Sequence, residues 1–548
     1  MPEGWDERAD VVVVGFGAAG ACAAIEAADA GAGVLVLDRF AGGGATALSG
    51  GVVYAGGGTA VQREAGVADT PEAMLAYLAQ EVGDAVAADT LRRFCAGSAD
   101  LVDWLCAAGV PFEASLCPYK TSYPSNKFYL YHSGSELSFA HLAPPAPRGH
   151  RTRGRGTSGR LFYARLAASV RGRGVRVRTQ TRVTGLVTDE AGRVSGVECR
   201  SLGGAPAWVR PAHRLLHRWS VKPGVYVPAL RRALHRPVAA LEARYGRPLR
   251  IAAARGVVLS AGGFILNRAM LREHAPQYRG GLPLGTTGDD GSGILLGVAA
   301  GGATGRLDRV TVWRFLSPPA ALLTGVLVDR AGARVCDEAR YGAAVGDAVL
   351  HAAGGRAWLL VDRDTLAEAR RQVRHQTLWF QRVQARLLLR MDRVSAPTLA
   401  EVAARAGVDP AGLAATVEAY NAAAEAGAPD PVGKPAALVR RQARPPYSLI
   451  DCSVRPRLGQ PAPMLTLGGL LVDEQSGQVR GADGTPVPGL YAAGRTAVGI
   501  CSHSYVSGLS LADCVFSGRR AGRHAGSREG SSAQRPGGPA HRDRRAAG

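Results

Sequence analysis

The chain has 548 residues, 46% of them apolar, with 72 glycines, nine cysteines and a formal net charge of +21. That length supports several domains and a sizeable core. The positive charge is almost all arginine, scattered and without a stripe interleaved with aromatics, which argues against nucleic acid as a partner. Nine cysteines without a C-x-x-C pair argue against a zinc site or a disulfide framework.

The N-terminus, MPEGWDERAD, is acidic and has no apolar leader. The apolar run from Val11 to Leu37 carries Glu26 and Asp29, so it does not read as a membrane span. With the cysteine usage, this reads as a soluble cytoplasmic protein. Residues 9–15, ADVVVVG, predict a buried parallel strand, AAGACAAIEAADAG a helix ending at Gly31, and GVLVLD a second strand. A Gly-rich loop follows at 42–58. Residues 71–109 read as helical, with Asp69 or Thr70 as cap and Pro71 in the first turn. Strands are expected on both sides of a turn at Ala191-Gly192, a Pro- and Arg-rich insertion at 203–250, and a buried strand in ARGVVLSAGGF.

From 275 to 445 strands and helices alternate, and TLAEVAARAGVDPAGLAATVEAYNAAAEAG predicts a helical hairpin with Asp409-Pro410 opening its second helix. The strands GLLVD and GLYAAG then return to the first domain. The expected organisation is a first domain over 1–274 that includes the insertion, a catalytic lobe over 275–445, the second part of the first domain over 446–524, and a disordered tail over 525–548. The fold class is α/β: a Rossmann-like domain split in sequence, with an inserted α+β lobe.

GFGAAG sets Gly15, Gly17 and Gly20 in G-x-G-x-x-G spacing, after a buried strand and at the start of a helix, and Asp38 ends the next strand. This is the context of a dinucleotide site. The first glycine allows the tight turn, the second lets the backbone approach a pyrophosphate, the third allows close packing, and the acid accepts from a ribose hydroxyl. FAD is favoured over NAD by the N-terminal position of the fingerprint, by the second Gly-rich loop AGGGATALSGG directly after Asp38, and by the late return of GLYAAG. No metal-ligand spacing occurs.

DVVVVGFGAAG, GGATALSGG, VVLSAGGF, GDDGSG and GLYAAG, in that order, resemble the fumarate reductase and succinate dehydrogenase flavoprotein superfamily. Within it, ATALSGGVVYAGGGT and SYVSGLSLADCVFSGRRAG look most like the 3-ketosteroid dehydrogenases, in the Δ4-(5α) branch. The resemblance spans about residues 9–524 and is weakest at 203–250. It implies that Gly15, Gly17, Ala18, Ala19 and Gly20 hold the FAD pyrophosphate and that Asp38 and Arg39 meet the adenosine ribose. Gly44, Ala45, Thr46, Ser49, Gly50 and Gly51 would line the flavin side, and Val183 the adenine. Gly262, Asp290, Gly494, Arg495, Ser510 and Leu511 would complete the site. No His occurs between Met1 and Leu130, so the FAD is expected to be non-covalent.

A helix starting in SGLSLADC would direct its positive end at the flavin, and the preceding loop would face the substrate. In the branch resembled, a Y-x-S pair and a second Tyr carry the chemistry. Tyr505 matches the ketone's hydrogen-bond donor and Ser507 the proton-transfer residue. Ser is a weak base and needs a relay partner; Tyr341 is the candidate second Tyr. Backbone N–H groups of Gly508 and Leu509 would donate to a developing enolate. The alternative roles are a packed ring for Tyr505, a helix cap for Ser507 and a buried lobe tyrosine for Tyr341. CPYKTSYPSNKFYLYHSGSE either lines an apolar pocket or packs over the first domain.

The expected activity is desaturation of an apolar cyclic ketone, a 3-ketosteroid, by α-proton removal and hydride transfer to flavin. The electron acceptor is not identified by any iron–sulphur, haem or NAD motif. Two alternatives stand beside it: a fumarate-reductase-like enzyme acting on a small enoate or dicarboxylate, and a flavin-bound protein serving assembly without turnover.

Overall fold

The computed structural model describes residues 4–278, 281–455 and 461–527. A mainly parallel sheet organises the molecule. Strand Glu7–Val14 lies between Val34–Asp38 and Arg247–Leu259. Beyond these the order continues to Arg176–Thr179 on one side and Pro486–Ala492 on the other, with Gln478–Arg480 antiparallel at that edge. Val11, Val12 and Val13 are buried on both faces, which is why the run does not alternate. The hairpin Thr181–Thr188 and Val194–Ser201 attaches to the first half of Arg247–Leu259.

Helices Ala18–Asp29 and Leu509–Gly526 pack on this sheet and against each other. A Cβ on Gly518 or Gly522 would fall 2.5 or 2.3 Å from the carbonyl oxygen of Ala19 or Ala23. Small residues four apart on both helices therefore let the backbones touch. The same contact carries the last helix through Gly526, which packs on Ala27. The helix thus extends two residues into the stretch expected to be a tail; residues 528–548 lie outside the described residues.

Other expectations are corrected locally. Residues 71–109 form three helices, Pro71–Val82, Ala88–Ala96 and Ser98–Ala107, the first ended by Gly83 at φ +54°. Of the two expected caps it is the Thr70 side chain that accepts from the Ala73 N–H. The loop at 42–58 contains a short helix, Gly44–Leu48, and a strand, Val52–Tyr54. In GLLVD, Gly469–Leu470 pairs with Thr304–Gly305 rather than with the large sheet. The segment at 203–250 is a pair of helices, Val209–Val221 and Pro228–Tyr245, that meets Arg39 and Phe40 just after the second strand.

A four-stranded antiparallel sheet, Val326–Val328, Trp358–Val361, Tyr447–Asp451 and Arg393–Ala396, builds the second body. Helices Arg363–Gln376 and Trp379–Met391 share one core with it, and the hairpin Leu399–Ala406 and Pro410–Ala426 the other. Asp409 caps the last of these by accepting from the Gly412 N–H. A three-stranded sheet, Val52–Tyr54, Gly149–Arg151 and Leu130–Tyr131, lies beside the start of the C-terminal helix, where the Tyr54 N–H donates to the Gly508 carbonyl. Among the described residues no helix is long and apolar enough to cross a membrane, and no group of His, Cys, Asp and Glu could hold a metal ion.

Candidate active site

A cavity of about 750 Å³ opens at the carboxyl ends of the parallel strands, where such sheets place their ligands. Gly15, Gly17, Ala18, Ala19, Asp38, Arg39, Gly44, Ala45, Thr46, Ser49, Val183, Gly262, Gly494, Arg495, Tyr505, Ser510 and Leu511 all line it. The three fingerprint glycines do different work. Gly15 has φ +102°, and a Cβ there would lie 2.5 Å from the Ser260 carbonyl oxygen. A Cβ on Gly20 would lie 2.0 Å from the Gly15 oxygen, so Gly20 holds strand to helix and does not face the cavity. A Cβ on Gly17 would meet only Thr46 Oγ1, at 3.5 Å, leaving its backbone open to a ligand.

Asp38 is already engaged. Its carboxylate accepts from the N–H groups of Phe16, Phe40 and Gly42, so it shapes the turn around the cavity. Burial raises its pKa, and those three bonds act against the rise. Gly50 and Gly51 do not line the cavity: their open sides face the Tyr123 ring and the Ser158 backbone. Asp290 is displaced by its neighbour. Asp289 lines the cavity and pairs with Arg495, whereas Asp290 pairs with Arg39 and accepts from the Ser292 N–H.

The residues fit a dinucleotide. The wall has a backbone-only stretch at Gly17, a helix N-terminus beside it, and a buried donor, Arg495 Nη1, that has no hydrogen-bond partner among the described residues. The helix pair at 203–250 also belongs to this wall. His217, Arg218, Trp219 and Lys222 line it. The His217 ring stacks on Phe40 with centroids 3.6 Å apart. Glu242 anchors the pair: it accepts from Arg39 at 2.9 Å and lies 3.1 Å from His213. Burial raises the Glu242 pKa, but the His213 and Arg39 bonds outweigh it and carry it down to about 2.

The opposite end of the cavity is aromatic. The Tyr505 ring stands 5.0 Å from Trp313 and 6.3 Å from Tyr341, and Leu465 completes the cluster. Burial pushes the hydroxyls of Tyr505, Tyr341 and Tyr131 up in pKa, so all three are protonated donors at neutral pH. Ser507 and Tyr341 are buried in the layer beside Tyr505 rather than on the cavity wall. Ser507 Oγ lies 3.3 Å from the Tyr131 hydroxyl, and the Ser507 carbonyl accepts from Ser133 Oγ at 3.0 Å.

Gly508 and Leu509 are likewise off the wall. Gly508 has φ +92°, and a Cβ there would come 2.6 Å from the Tyr54 nitrogen. The Leu509 N–H already donates to the Val506 carbonyl, so it is not available to an enolate. The first helical residues that do face the cavity are Ser510 and Leu511.

Sequence reasoning missed Phe40, His217, Glu242, Asp289, Trp313 and Tyr131. Asp289 stood in the quoted GDDGSG motif, one residue away, and Tyr131 stood in the tyrosine-rich segment. Trp313 carries no local signal.

The profile of the family described as FAD binding domain matches residues 10–508. The chain is 38% identical to the 3-oxo-5-alpha-steroid 4-dehydrogenase of Comamonas testosteroni over 505 residues, covering 89% of this chain and 93% of that protein. It also resembles the crystal structure of 3-ketosteroid-delta4-(5alpha)-dehydrogenase from Rhodococcus jostii RHA1 in complex with 4-androstene-3,17-dione. That match has a TM-score of 0.80 and 32% identity, over 96% of this chain and 99% of the other. A fumarate reductase (cytochrome) of Shewanella frigidimarina is 24% identical, over 95% of this chain and 77% of that protein.

Proposed function

The chain belongs to the FAD-binding-domain family of flavoproteins, and from that premise we propose that it is an FAD-dependent dehydrogenase that desaturates a 3-ketosteroid beside its carbonyl group. The observation that carries the catalytic assignment is the meeting of Tyr505, Ser507, Tyr341 and Tyr131, from three distant segments, at the aromatic end of the cavity. When bound, FAD supplies the hydride acceptor.

Tyr505, protonated and on the wall, donates to the ketone oxygen and acidifies the neighbouring C–H. Ser507, in the layer directly beside Tyr505, is the proposed acceptor of the α-proton. A lone serine is a weak base, and the Tyr131 hydroxyl at 3.3 Å provides the next group of a relay. Tyr341 packs against Tyr505 and sets its ring. The N-terminus of Leu509–Gly526, through Ser510 and Leu511, brings a partial positive charge to the cavity where negative charge develops. Trp313 and Leu465 give that end an apolar lining suited to a fused-ring ketone. The proposed setting is the cytoplasm, supported by free thiols such as Cys22, Cys95, Cys336 and Cys501.

A dicarboxylate substrate is the second reading, prompted by the fumarate reductase similarity. It would need a free cation beside Tyr505 to clamp carboxylate. Arg495, the guanidinium that acts on Tyr505, is instead neutralised by Asp289, and its remaining donor faces the dinucleotide site. The deciding experiment is anaerobic mixing of the yellow protein with 5α-3-ketosteroids and, separately, with succinate, following flavin absorbance at about 450 nm. Bleaching by the ketosteroid alone is expected. Bleaching by succinate alone would replace this reading with the dicarboxylate one.

A further inference from the structure

The helix pair Val209–Val221 and Pro228–Tyr245 walls the cavity on its inner side, and its outer side carries exposed apolar side chains. Four large apolar side chains are exposed there, Trp208 at 55%, Leu215 at 56%, Tyr226 at 60% and Val227 at 47%, and Trp219 borders the cavity beside them. Trp208, Leu215 and Trp219 are spaced seven and four residues apart, so they share one helix face. Tyr226 and Val227 follow in the turn before the second helix. Arg210, Arg214, Arg218 and Lys222, each four residues from the next and all exposed, run as a stripe beside that face. Arg232 and Arg236 are exposed on the second helix.

Residues 203–250 hold ten Lys or Arg and one acidic residue, Glu242. Glu242 is buried and spent on Arg39 and His213. The exposed cations of the pair therefore have no acidic residue of their own segment facing them. Aromatic and aliphatic tips flanked by a one-signed cationic stripe match the interface of an anionic bilayer, where the rings sit at headgroup depth and the cations meet lipid phosphates. An acidic protein partner would satisfy the charges but leave Trp208, Leu215 and Tyr226 without the apolar layer their exposure calls for.

We propose that the outer face of this helix pair docks the enzyme peripherally on a membrane surface rich in anionic lipid. Trp208, Leu215, Tyr226 and Val227 enter the interface, and Arg214, Arg232 and Arg236 lie against the phosphates. Docking itself does not depend on the substrate assignment, and its test uses no substrate.

The test is flotation of the full-length holoprotein with vesicles of phosphatidylcholine alone or with about 30 mol% phosphatidylglycerol. The wild type is expected to float with the anionic vesicles at least about tenfold more than with the zwitterionic ones, and to be released by high salt. Leu215→Ser with Tyr226→Ser should lower flotation about tenfold with the flavin spectrum unchanged. Arg214→Gln with Arg232→Gln and Arg236→Gln should abolish the preference for anionic lipid. Should the double variant lose its flavin, Tyr226→Ser alone supplies the comparison. A wild type that stays at the bottom with both vesicles overturns the proposal. So does equal flotation of wild type and flavin-loaded apolar variants, which would assign binding to charge elsewhere on the chain.

Discussion

The two ends of the cavity are built by different means. At the cofactor end, the turn at Gly15, Gly17 and Gly20, the acid at Asp38 and the loop at Gly44–Ser49 come from one short continuous stretch, and most of what they offer is backbone. At the catalytic end, Tyr131, Trp313, Tyr341 and Tyr505 come from four places in the chain, and what they offer is side chain. Backbone positions are constrained by sterics that one Cβ violates. Side-chain positions are constrained by packing, which a smaller residue leaves standing. Damage at the first end should therefore remove the cofactor, and damage at the second should remove turnover while the protein stays yellow.

The harshest test of that contrast is Gly20→Val. With the Gly15 oxygen 2.0 Å from the new Cβ, the strand-to-helix turn cannot close. The expected outcome is a protein without flavin, read from the ratio of visible to ultraviolet absorbance; a yellow and active variant would break the contrast at its stronger end. Next in size is Ser507→Ala, expected to slow flavin bleaching by the ketosteroid about 10²- to 10⁴-fold at unchanged flavin content. Wild-type kinetics would leave Ser507 as nothing more than a buried hydroxyl.

Tyr131→Phe sharpens the comparison further, since it removes one hydroxyl and no ring. Turnover is expected to fall about tenfold, near 1.4 kcal/mol. The double variant with Ser507→Ala should be no slower than Ser507→Ala alone, because the two hydroxyls act in one path. Additive losses in that cycle would separate Tyr131 from Ser507.

A separate effect is one of pH on stability. His150 lies in the small sheet that also carries Tyr131, bonded to Thr59 Oγ1 at 2.8 Å and to the Arg148 carbonyl. Burial lowers its pKa from 6.5 to about 4. The unfolded chain thus takes up a proton at a higher pH than the fold does. The stability from neutral His150 is complete above 6.5 and declines as pH falls towards 4, by on the order of 3 kcal/mol. Melting temperature followed across that window should drop more steeply for the wild type than for His150→Gln. Parallel curves would show that other groups carry the acid sensitivity.

Much of this molecule was legible before any coordinates. The strand, the glycine turn, the first helix and Asp38 all lie between Glu7 and Asp38, so local rules of pleat, turn and helix start are enough to place them. The Y-x-S loop was legible as a site because it joins a glycine-tipped strand to a helix of small residues. Only the tertiary structure decided the rest. It set Tyr131 beside Ser507 across 376 residues. It gave the cavity Asp289 in place of Asp290, a choice between adjacent carboxylates that follows from which one meets Arg495. It turned the segment at 203–250, which read as an insertion, into a wall of the cavity held by Glu242. Each of these depends on which distant surfaces pack together. Periodicity and spacing record what a residue does for its own element, and packing between elements leaves no such trace in either partner alone.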